Sequence, residues 1–392
     1  MNRYRLQSAP RWYPPKLNPF LVRLLEPFRR RERIKKQHLV SVDISGLDQL
    51  KRVIASGAGV LITPNHSSHA DPDAMYEVSR QVGSPFYFMA AWQVFDQQRA
   101  LGRLFLQTHG VFSVDREGVD VQAFKQAVKI LEEARYPLVI FPEGEVYHCN
   151  GRLTPFRDGA AAIALAAAKR AKNNVVCVPC ALNYRYVKDP TPELSYLMDE
   201  LERRVLWRPA ADLAIEKRIY RFAAALLSLK EIEYAGEAQT GQLAERERAL
   251  SETILQQLEL HYGVPEIAGI VPERVKELRR RILSLLEEKA PGSADYVRLL
   301  GHLDDIFFVT QLFSYPGDYV AERPSVERIA ETLDKFEEDV LGRASAVVRG
   351  ERSVQIVFGE PLPVERAAKN KTAAIRELTA ALEKRVQAML MQ

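Results

Sequence analysis

The amino-acid sequence predicts an α/β protein with a largely parallel sheet flanked by helices, and with a large helical insertion before the closing strand and helix. From Val40 onward, short apolar runs alternate with segments of helical periodicity, which is typical of strands connected by crossover helices. Residues 191–345 instead contain several helical patterns and few strand signals. Strand character returns at Ser353–Phe358, and an amphipathic helix follows it.

These patterns divide the chain into four segments. We expect a basic amphipathic segment at 1–39 and the first part of the α/β domain at 40–190. The helical insertion follows at 191–345, and the closing strand and helix of the α/β domain occupy 346–392.

Each predicted strand is a short apolar run, and each predicted helix has apolar residues every three or four positions. The strands are Val60–Thr63, Phe86–Met89, Val111–Val114, Leu138–Phe141, Val175–Leu182 and Ser353–Phe358. The helices are Asp73–Val82, Val119–Arg135, Asp158–Ala171, Ala211–Tyr234, Leu243–His261, Pro272–Lys289, Ala294–Phe313, Ser325–Leu341 and Thr372–Met389. We expect Pro179 to break the fifth strand, because proline donates no ladder hydrogen bond.

The composition is that of a globular protein. Of 392 residues, 47% are hydrophobic and 27% charged, which excludes collagen-like, disordered and disulfide-scaffold classes. Three cysteines in a chain of this length indicate a reducing compartment. No stretch is long and apolar enough for a spanning helix, and the N-terminus lacks the apolar region of a signal peptide. We therefore expect a cytoplasmic protein.

Positive charge is concentrated at the N-terminus. Residues 1–36 contain eleven Lys and Arg against Glu26 and Glu32, a local charge of +9 in a chain whose net charge is +4. Such an arm predicts an anionic partner surface, either a membrane or a nucleic acid. No nucleic-acid motif follows the basic cluster, so we expect a membrane and no nucleic acid.

An amphipathic helix lies inside this basic arm. Asn18 and Pro19 form a good helix start, and the aromatic pair Trp12 and Tyr13 precedes it. We expect Pro27 to kink or end the helix. The apolar face consists of Phe20, Leu21, Leu24, Leu25 and Phe28, and the cluster after it of Arg29, Arg30, Arg31, Arg33, Lys35 and Lys36. An apolar face with a basic flank is typical of an interfacial helix, although a face that packs on the protein core has the same pattern.

Candidate catalytic residues follow the strand Val60–Thr63. His66 and Asp71 lie five positions apart in a loop that enters a helix, so the carboxylate can bond one ring nitrogen while the other faces a substrate. His66 could then accept a proton from a hydroxyl group. A purely structural polar loop, or a metal site formed by His66, His69, Asp71 and Asp73, are the alternatives.

Further motifs follow this loop in a fixed order. They are Gly110-Val111-Phe112-Ser113-Val114-Asp115-Arg116, Phe141-Pro142-Glu143-Gly144, Pro155-Phe156-Arg157-Asp158-Gly159-Ala160, Val176-Cys177-Val178-Pro179 and Val357-Phe358-Gly359-Glu360-Pro361-Leu362. Together with His66-x4-Asp71, this series resembles the glycerolipid acyltransferase family of the lysophosphatidic acid type (PlsC-like). The resemblance covers about 40–190 and 346–392, and residues 191–345 fall outside it.

The resemblance implies a peripheral enzyme on the cytoplasmic face of a membrane. It would move a fatty acyl group from a thioester, acyl-CoA or acyl carrier protein, to a hydroxyl of a lysophospholipid such as 1-acyl-glycerol-3-phosphate. His66 would deprotonate the acceptor hydroxyl and Asp71 would orient the imidazole. Substrate-binding residues would be Asn65, Arg116, Glu143, Gly144 and Arg157, with Arg116 on a phosphate. No cofactor or metal is implied beyond the acyl donor.

One position departs from the family pattern. The third block usually continues with Thr-Arg-Ser, whereas Gly144 is followed here by Glu145, Val146 and Tyr147. An anion in that place would repel an acceptor phosphate. Either Arg116, Arg152 or Arg157 compensates, or the acceptor is not a simple glycerol phosphate.

Two other functional classes stay open at this point. The chain could be a membrane-associated interaction protein on an acyltransferase scaffold, or a metal-dependent hydrolase that uses His66, His69 and Asp71. Cys177 and Cys180 have redox spacing, but they lie in an apolar strand and we expect them to be structural. His148 is expected only to line a pocket.

Overall fold

The computed structural model describes residues 10–116, 118, 120–264, 270–343, 345–366 and 370–391. Residues 1–9 of the basic segment and Val119, the expected start of one helix, lie outside the described residues. The chain divides into an α/β unit, formed by Pro10–Asp189 and Val348–Gln392, and a helical unit at Pro190–Val347.

The α/β unit is built on an eight-stranded sheet with the order β1-β7-β6-β2-β5-β3-β4, and β8 also pairs with β6. The strands are β1 (Leu39–Ser45), β2 (Gly59–Pro64), β3 (Tyr87–Ala91), β4 (Val111–Val114), β5 (Leu138–Val139), β6 (Val175–Tyr186), β7 (Arg352–Phe358) and β8 (Leu362–Pro363). All pairs are parallel except those of β6 with β7 and with β8. The predicted α/β class with a largely parallel sheet is confirmed.

Helices precede, connect and follow the strands. The first group is α1 (Pro19–Leu24), α2 (Glu26–Gln37), α3 (Leu47–Ala55), α4 (Asp71–Val82), α5 (Trp92–Asp96), α6 (Ala100–Thr108), α7 (Val121–Glu133) and α8 (Gly159–Arg170). The helical unit contains α9 (Thr191–Val205), α10 (Ile215–Ala235), α11 (Leu243–Tyr262), α12 (Val271–Glu287), α13 (Ala294–Ser314), α14 (Tyr319–Glu322) and α15 (Val326–Val340). Helix α16 (Lys371–Leu390) closes the α/β unit.

The central strand β2 is buried on both faces of the sheet. Every residue from Gly59 to Pro64 is buried. Leu61 belongs to the core cluster that includes residues of α7, α8 and α16. Val60 and Ile62 belong to the core on the opposite face, with residues of α3 and α4. Alternate side chains of a strand point to opposite faces, so a strand covered on both sides must be apolar throughout.

The strand β6 differs most from its prediction. It runs through Pro179 to Tyr186 without a break and is four residues longer than expected. On one edge its partner changes near Pro179, because Cys177 pairs with β8 whereas Cys180 pairs with β7. A proline at such a change of partner interrupts no continuous ladder, so the strand continues past it.

Several helix and strand limits also differ from the prediction. Helix α9 was not predicted, although its buried Leu194, Leu197, Met198 and Leu201 have helical spacing. Helix α4 begins at Asp71 rather than Asp73, which brings the candidate carboxylate into the first turn of the helix. Strand β5 ends at Val139, two residues earlier than expected.

The helical unit has its own apolar core, to which α11, α12 and α13 contribute most. It also buries charge: Arg274 donates two hydrogen bonds to Glu259, each 2.8 Å long, and others to Glu252. Arg274 is 8% exposed and Glu259 is 5% exposed. In the described part of the chain, no helix combines the length and apolar character needed to cross a bilayer.

We predict that Arg274→Ala destabilises the protein by about 3–5 kcal/mol, because Glu259 is then left buried without its counter-charge. The matched control is Arg280→Ala on the same helix, since Arg280 forms an exposed ion pair with Glu277. Its loss should change the free energy of unfolding little. Urea unfolding followed by circular dichroism measures both variants, and equal effects would contradict the assignment of Arg274 as a buried structural cation.

Candidate active site

The candidate catalytic loop lies between β2, which ends at Pro64, and α4, which begins at Asp71. β2 has β6 on one side and β5 on the other, so the loop leaves the middle of the sheet at its carboxyl edge. Active sites of parallel α/β sheets form at this edge. Pro72 in the first turn fits the start of a helix, where a missing N–H has no cost.

His66 and Asp71 form a hydrogen-bonded pair. The Nδ1 atom of His66 lies 2.8 Å from Oδ2 of Asp71. The imidazole stacks on the ring of Phe141, with centroids 4.1 Å apart, and the His66 side chain is 17% exposed. Because the carboxylate occupies Nδ1, Nε2 is the ring nitrogen left to accept a proton from a substrate.

The Asp71 carboxylate is fully buried and accepts hydrogen bonds at both oxygens. The backbone N–H of Ser68 donates to Oδ2 over 3.0 Å, and the hydroxyl of Tyr184 donates to Oδ1 over 2.7 Å. Burial, together with the charge of Asp71, raises the pKa of Tyr184 well above its usual value, so the phenol stays a donor. The N-terminal end of α4 also favours a negative charge at this position. These contacts leave Asp71 with one available orientation.

Arg352 of β7 supports this arrangement from the neighbouring strand. Its guanidinium lies 5.3 Å from the centroid of the Tyr184 ring, and it donates to Ser68 Oγ over 3.4 Å and to the carbonyl of Gln37 over 3.0 Å. Neither Tyr184 nor Arg352 was predicted as a site residue. Tyr184 continues the alternation of Cys180 and Leu182 toward the α4 face, but it lies beyond the predicted end of the strand.

Asn65 connects the loop to β6 rather than facing open space. Its side-chain amide donates to the carbonyl of Leu182 over 3.0 Å and accepts from the N–H of Leu182 over 2.7 Å. Asn150 makes the same double contact with Tyr184, at 2.6 and 2.8 Å. The two amides bond the backbone N–H and C=O groups of β6 where this strand extends beyond β2. Asn65 is therefore a positioning residue in this structure, and its contact with substrate stays a prediction.

Glu143 holds the other side of His66. The backbone N–H of His66 donates to Oε1 over 2.6 Å, and that of Thr154 donates to Oε2 over 2.9 Å. The residue is 3% exposed, and burial raises its pKa to about 7 although both backbone donors act in the opposite direction. Glu143 thus joins the catalytic loop to the segment before α8.

Gly144, Arg116, Glu145 and Arg157 meet in the next turn. Gly144 has φ +80°, a conformation that favours glycine, and a Cβ atom on it would lie 2.8 Å from Nε of Arg157, which would then have to move. Nη1 of Arg116 donates to the Gly144 carbonyl over 2.6 Å and to Oε2 of Glu145 over 2.7 Å. The structure therefore gathers the predicted residues of three motifs around one turn.

These contacts do not favour a metal site formed by His66, His69, Asp71 and Asp73. Asp71 is committed to His66, whereas Asp73 faces the charges of Arg33 and Arg29, and burial raises its pKa to about 6. Among the described residues, no group with suitable metal spacing contains His66, Asp71 or Asp73.

The cysteine pair is fully buried. Burial raises the pKa of Cys177 to about 12 and that of Cys180 well above its usual value. A thiol with a raised pKa carries little thiolate, which is the reactive form of cysteine. Both cysteines are therefore part of the core.

We predict that Glu143→Gln lowers the free energy of unfolding by about 1–3 kcal/mol at pH 5, because the new NH2 group faces a backbone donor where a carboxyl oxygen accepted a bond. The pKa of Glu143 is higher in the folded protein than the usual 4.5. The stability that this raised pKa adds to the folded protein is therefore fully present below pH 4.5, and it is lost as the pH rises through about 7. The gap between wild type and variant should narrow from pH 5 to pH 8.

The matched control for this experiment is Glu133→Gln, because Glu133 is an exposed residue at the end of α7. Denaturant titrations at pH 5, 6, 7 and 8 measure all three proteins. A stability gap that stays constant over this range would contradict the raised pKa of Glu143.

Comparison with protein-family models gives a match. The family model described as Acyltransferase matches residues 41–183, a segment from β1 into β6 that contains His66, Asp71, Arg116, Glu143 and Arg157. A search of the curated proteins finds no match. The matched segment carries the motifs on which the sequence resemblance was based. The chain therefore contains an acyltransferase domain at residues 41–183, and it is an enzyme of the acyltransferase type.

Proposed function

We propose that the protein transfers a fatty acyl group from an acyl thioester, acyl-CoA or acyl carrier protein, to the hydroxyl of a lysophospholipid. The observation that carries this proposal is the His66–Asp71 pair, with its 2.8 Å contact, at the carboxyl edge of the sheet in an acyltransferase domain. The acceptor implied by the family resemblance is 1-acyl-glycerol-3-phosphate. No cofactor is required besides the acyl donor.

The proposed reaction uses His66 as general base. Nε2 accepts the proton of the acceptor hydroxyl while that oxygen attacks the thioester carbonyl carbon. The C–S bond then breaks, and the departing thiolate takes the proton back from the imidazolium. Asp71 holds the Nδ1 proton and stabilises the imidazolium, a task for which its rigid placement by Ser68 and Tyr184 suits it. A thioester is already activated, so no enzyme-bound acyl intermediate is needed.

The other predicted site residues receive roles in this proposal according to their position. Arg116 and Arg157 lie at the turn around Gly144, where both are beside Glu145. Glu143 keeps the backbone of His66 in place, and Asn65 fixes the start of the loop on β6. We propose that the five predicted binding residues, Asn65, Arg116, Glu143, Gly144 and Arg157, also contact the substrates.

We predict that His66→Ala lowers kcat for acyl transfer by about 10²–10⁴-fold while the variant stays folded at the assay temperature, because it removes the general base. Asp71→Asn should be nearly as damaging, since it removes the group that sets the tautomer. Thiol release and ester formation are measured with acyl-CoA and acyl carrier protein as donors.

The matched control is His69→Ala, because His69 is an exposed residue of the same loop. General-base catalysis by His66 predicts near wild-type activity for it, whereas a metal site that uses His69 predicts a loss. Activity of His66→Ala within tenfold of wild type at saturating donor would refute the mechanism. A wild-type protein that transfers no acyl group from either donor would favour the scaffold alternative.

We further propose that the enzyme acts at the cytoplasmic face of a membrane and docks there through its N-terminal helices. Phe20, Leu24 and Phe28 are 70%, 58% and 52% exposed. Leu101 of α6 is 82% exposed, one helical turn before Phe105, whose ring contacts that of Phe28. These apolar side chains and the adjacent basic cluster suit an anionic bilayer.

Other residues of the same segment attach it to the α/β unit. Arg33 is buried and pairs with Glu77 of α4 at 3.2 Å, and Arg29 lies 5.2 Å from the centroid of the Tyr76 ring. Trp12 and Tyr13, the aromatic pair before these helices, contact Phe112 and Phe95 of the α/β unit. The helices therefore pack through one face and leave the apolar residues of the other exposed.

We predict that the double variant Phe20→Ser with Leu24→Ser binds anionic vesicles with an affinity about tenfold lower or more, as measured by sedimentation. Each side chain buried in the interface contributes at most about 1.5–3 kcal/mol. Binding of the wild type should also fall with added salt, because the basic cluster contributes through charge.

The matched control for docking replaces two apolar residues of the helical unit that are also well exposed, Leu229→Ser with Leu260→Ser. This control should bind vesicles as the wild type does. If the Phe20/Leu24 variant sediments as strongly as the wild type, the docking surface is assigned wrongly.

A further inference from the structure

Arg116, the cation expected to contact an acceptor phosphate, already has an anionic partner in the protein. Its Nη1 atom donates to Oε2 of Glu145 over 2.7 Å and to the carbonyl of Gly144 over 2.6 Å. The two side chains are only 16% and 15% exposed, so water screens the pair weakly. The cation is thus neutralised by the residue that departs from the family pattern.

Glu145 also lies close enough to the reacting group to influence what binds there. Burial alone would raise its pKa, but Arg116 counteracts this strongly, and His66 and Arg157 add to the effect, so the pKa lies below its usual value. Glu145 therefore carries its negative charge at neutral pH, beside the imidazole. A second anion placed at Arg116 would be repelled by it.

Arg157, the other cation at this turn, also lies beside Glu145. Its guanidinium packs against the turn at Gly144, where a Cβ atom would approach Nε, Cδ and Cζ to between 2.8 and 3.0 Å. Its charge acts on Glu145, whose pKa it helps to lower, whereas burial raises the pKa of the neighbouring Tyr147 to about 12. Arg116 is thus paired with Glu145, and the charge of Arg157 is partly offset by the same carboxylate.

We infer that Glu145 makes the acceptor site select against a phosphomonoester, so that the acceptor is a lyso-lipid whose headgroup carries no dianionic phosphate at Arg116. This inference rests on the proposed acyl transfer. It makes 1-acyl-glycerol-3-phosphate a disfavoured acceptor. Glu145 departs from the family pattern, and either a nearby arginine compensates for it or the acceptor is different. The ion pair between Arg116 and Glu145 favours a different acceptor. Discrimination then comes from a repulsive charge rather than from a missing contact.

The test compares three short-chain acceptors that share one acyl group: lysophosphatidate, a lysophospholipid with an ethanolamine phosphodiester, and a monoacylglycerol. Wild-type kcat/KM should be lowest for lysophosphatidate. Glu145→Gln should raise the ratio of lysophosphatidate to monoacylglycerol by about tenfold or more, because it removes the repulsion and releases Arg116. Glu145→Ala is the second variant, and Glu133→Gln is the control for a change of net charge outside the site.

Equilibrium binding of the same three lipids to His66→Ala protein separates this inference from the proposed reaction. Preference of that protein for the two acceptors without a phosphomonoester supports the inference even where no turnover is seen. Absence of transfer to all three acceptors by the wild type refutes the proposed function. A wild-type preference for lysophosphatidate, or an unchanged ratio in both Glu145 variants, overturns the inference.

Discussion

The buried carboxylate of Asp71 is the constraint on which the rest of the site depends. A fully buried carboxylate is costly unless its oxygens are hydrogen-bonded, and here His66, Ser68 and Tyr184 provide the partners. Tyr184 can reach Asp71 only because β6 extends beyond β2. The backbone groups of this extension are hydrogen-bonded by the amides of Asn65 and Asn150. One charge thus explains why the loop, the long strand and two asparagines occur together.

His66 is held by two carboxylates in different ways. Asp71 contacts the ring, whereas Glu143 contacts the backbone N–H, so one sets the direction of the imidazole and the other sets the position of its Cα. Stacking on Phe141 restricts the remaining rotation of the ring. A general base needs this kind of fixed placement, because positioning supplies part of the rate before any proton moves.

Local features of this protein were predictable from the sequence and long-range ones were not. The five-residue spacing of His66 and Asp71 permits a contact within one loop, and the apolar run of β2 indicates a buried central strand. Tyr184 and Arg352 come from segments more than a hundred residues from Asp71, so no local pattern links them to it. Strand order has the same difficulty, since it depends on which edges remain unpaired after the whole chain has folded. The exposed apolar side chains of α6 were also missed, because sequence periodicity cannot tell a solvent-facing helix face from a core face.

The position of β7 has a consequence for biosynthesis. β7 fills the gap between β1 and β6, yet it is translated only after the whole helical unit, which separates it from β6 in the chain. On the ribosome, the first part of the α/β unit therefore emerges with two strand edges unpaired and without Arg352 beneath the catalytic loop. Open edges of this kind attract other strands. The nascent chain consequently reaches a competent site, and a sheet without this gap, only when β7 has left the exit tunnel.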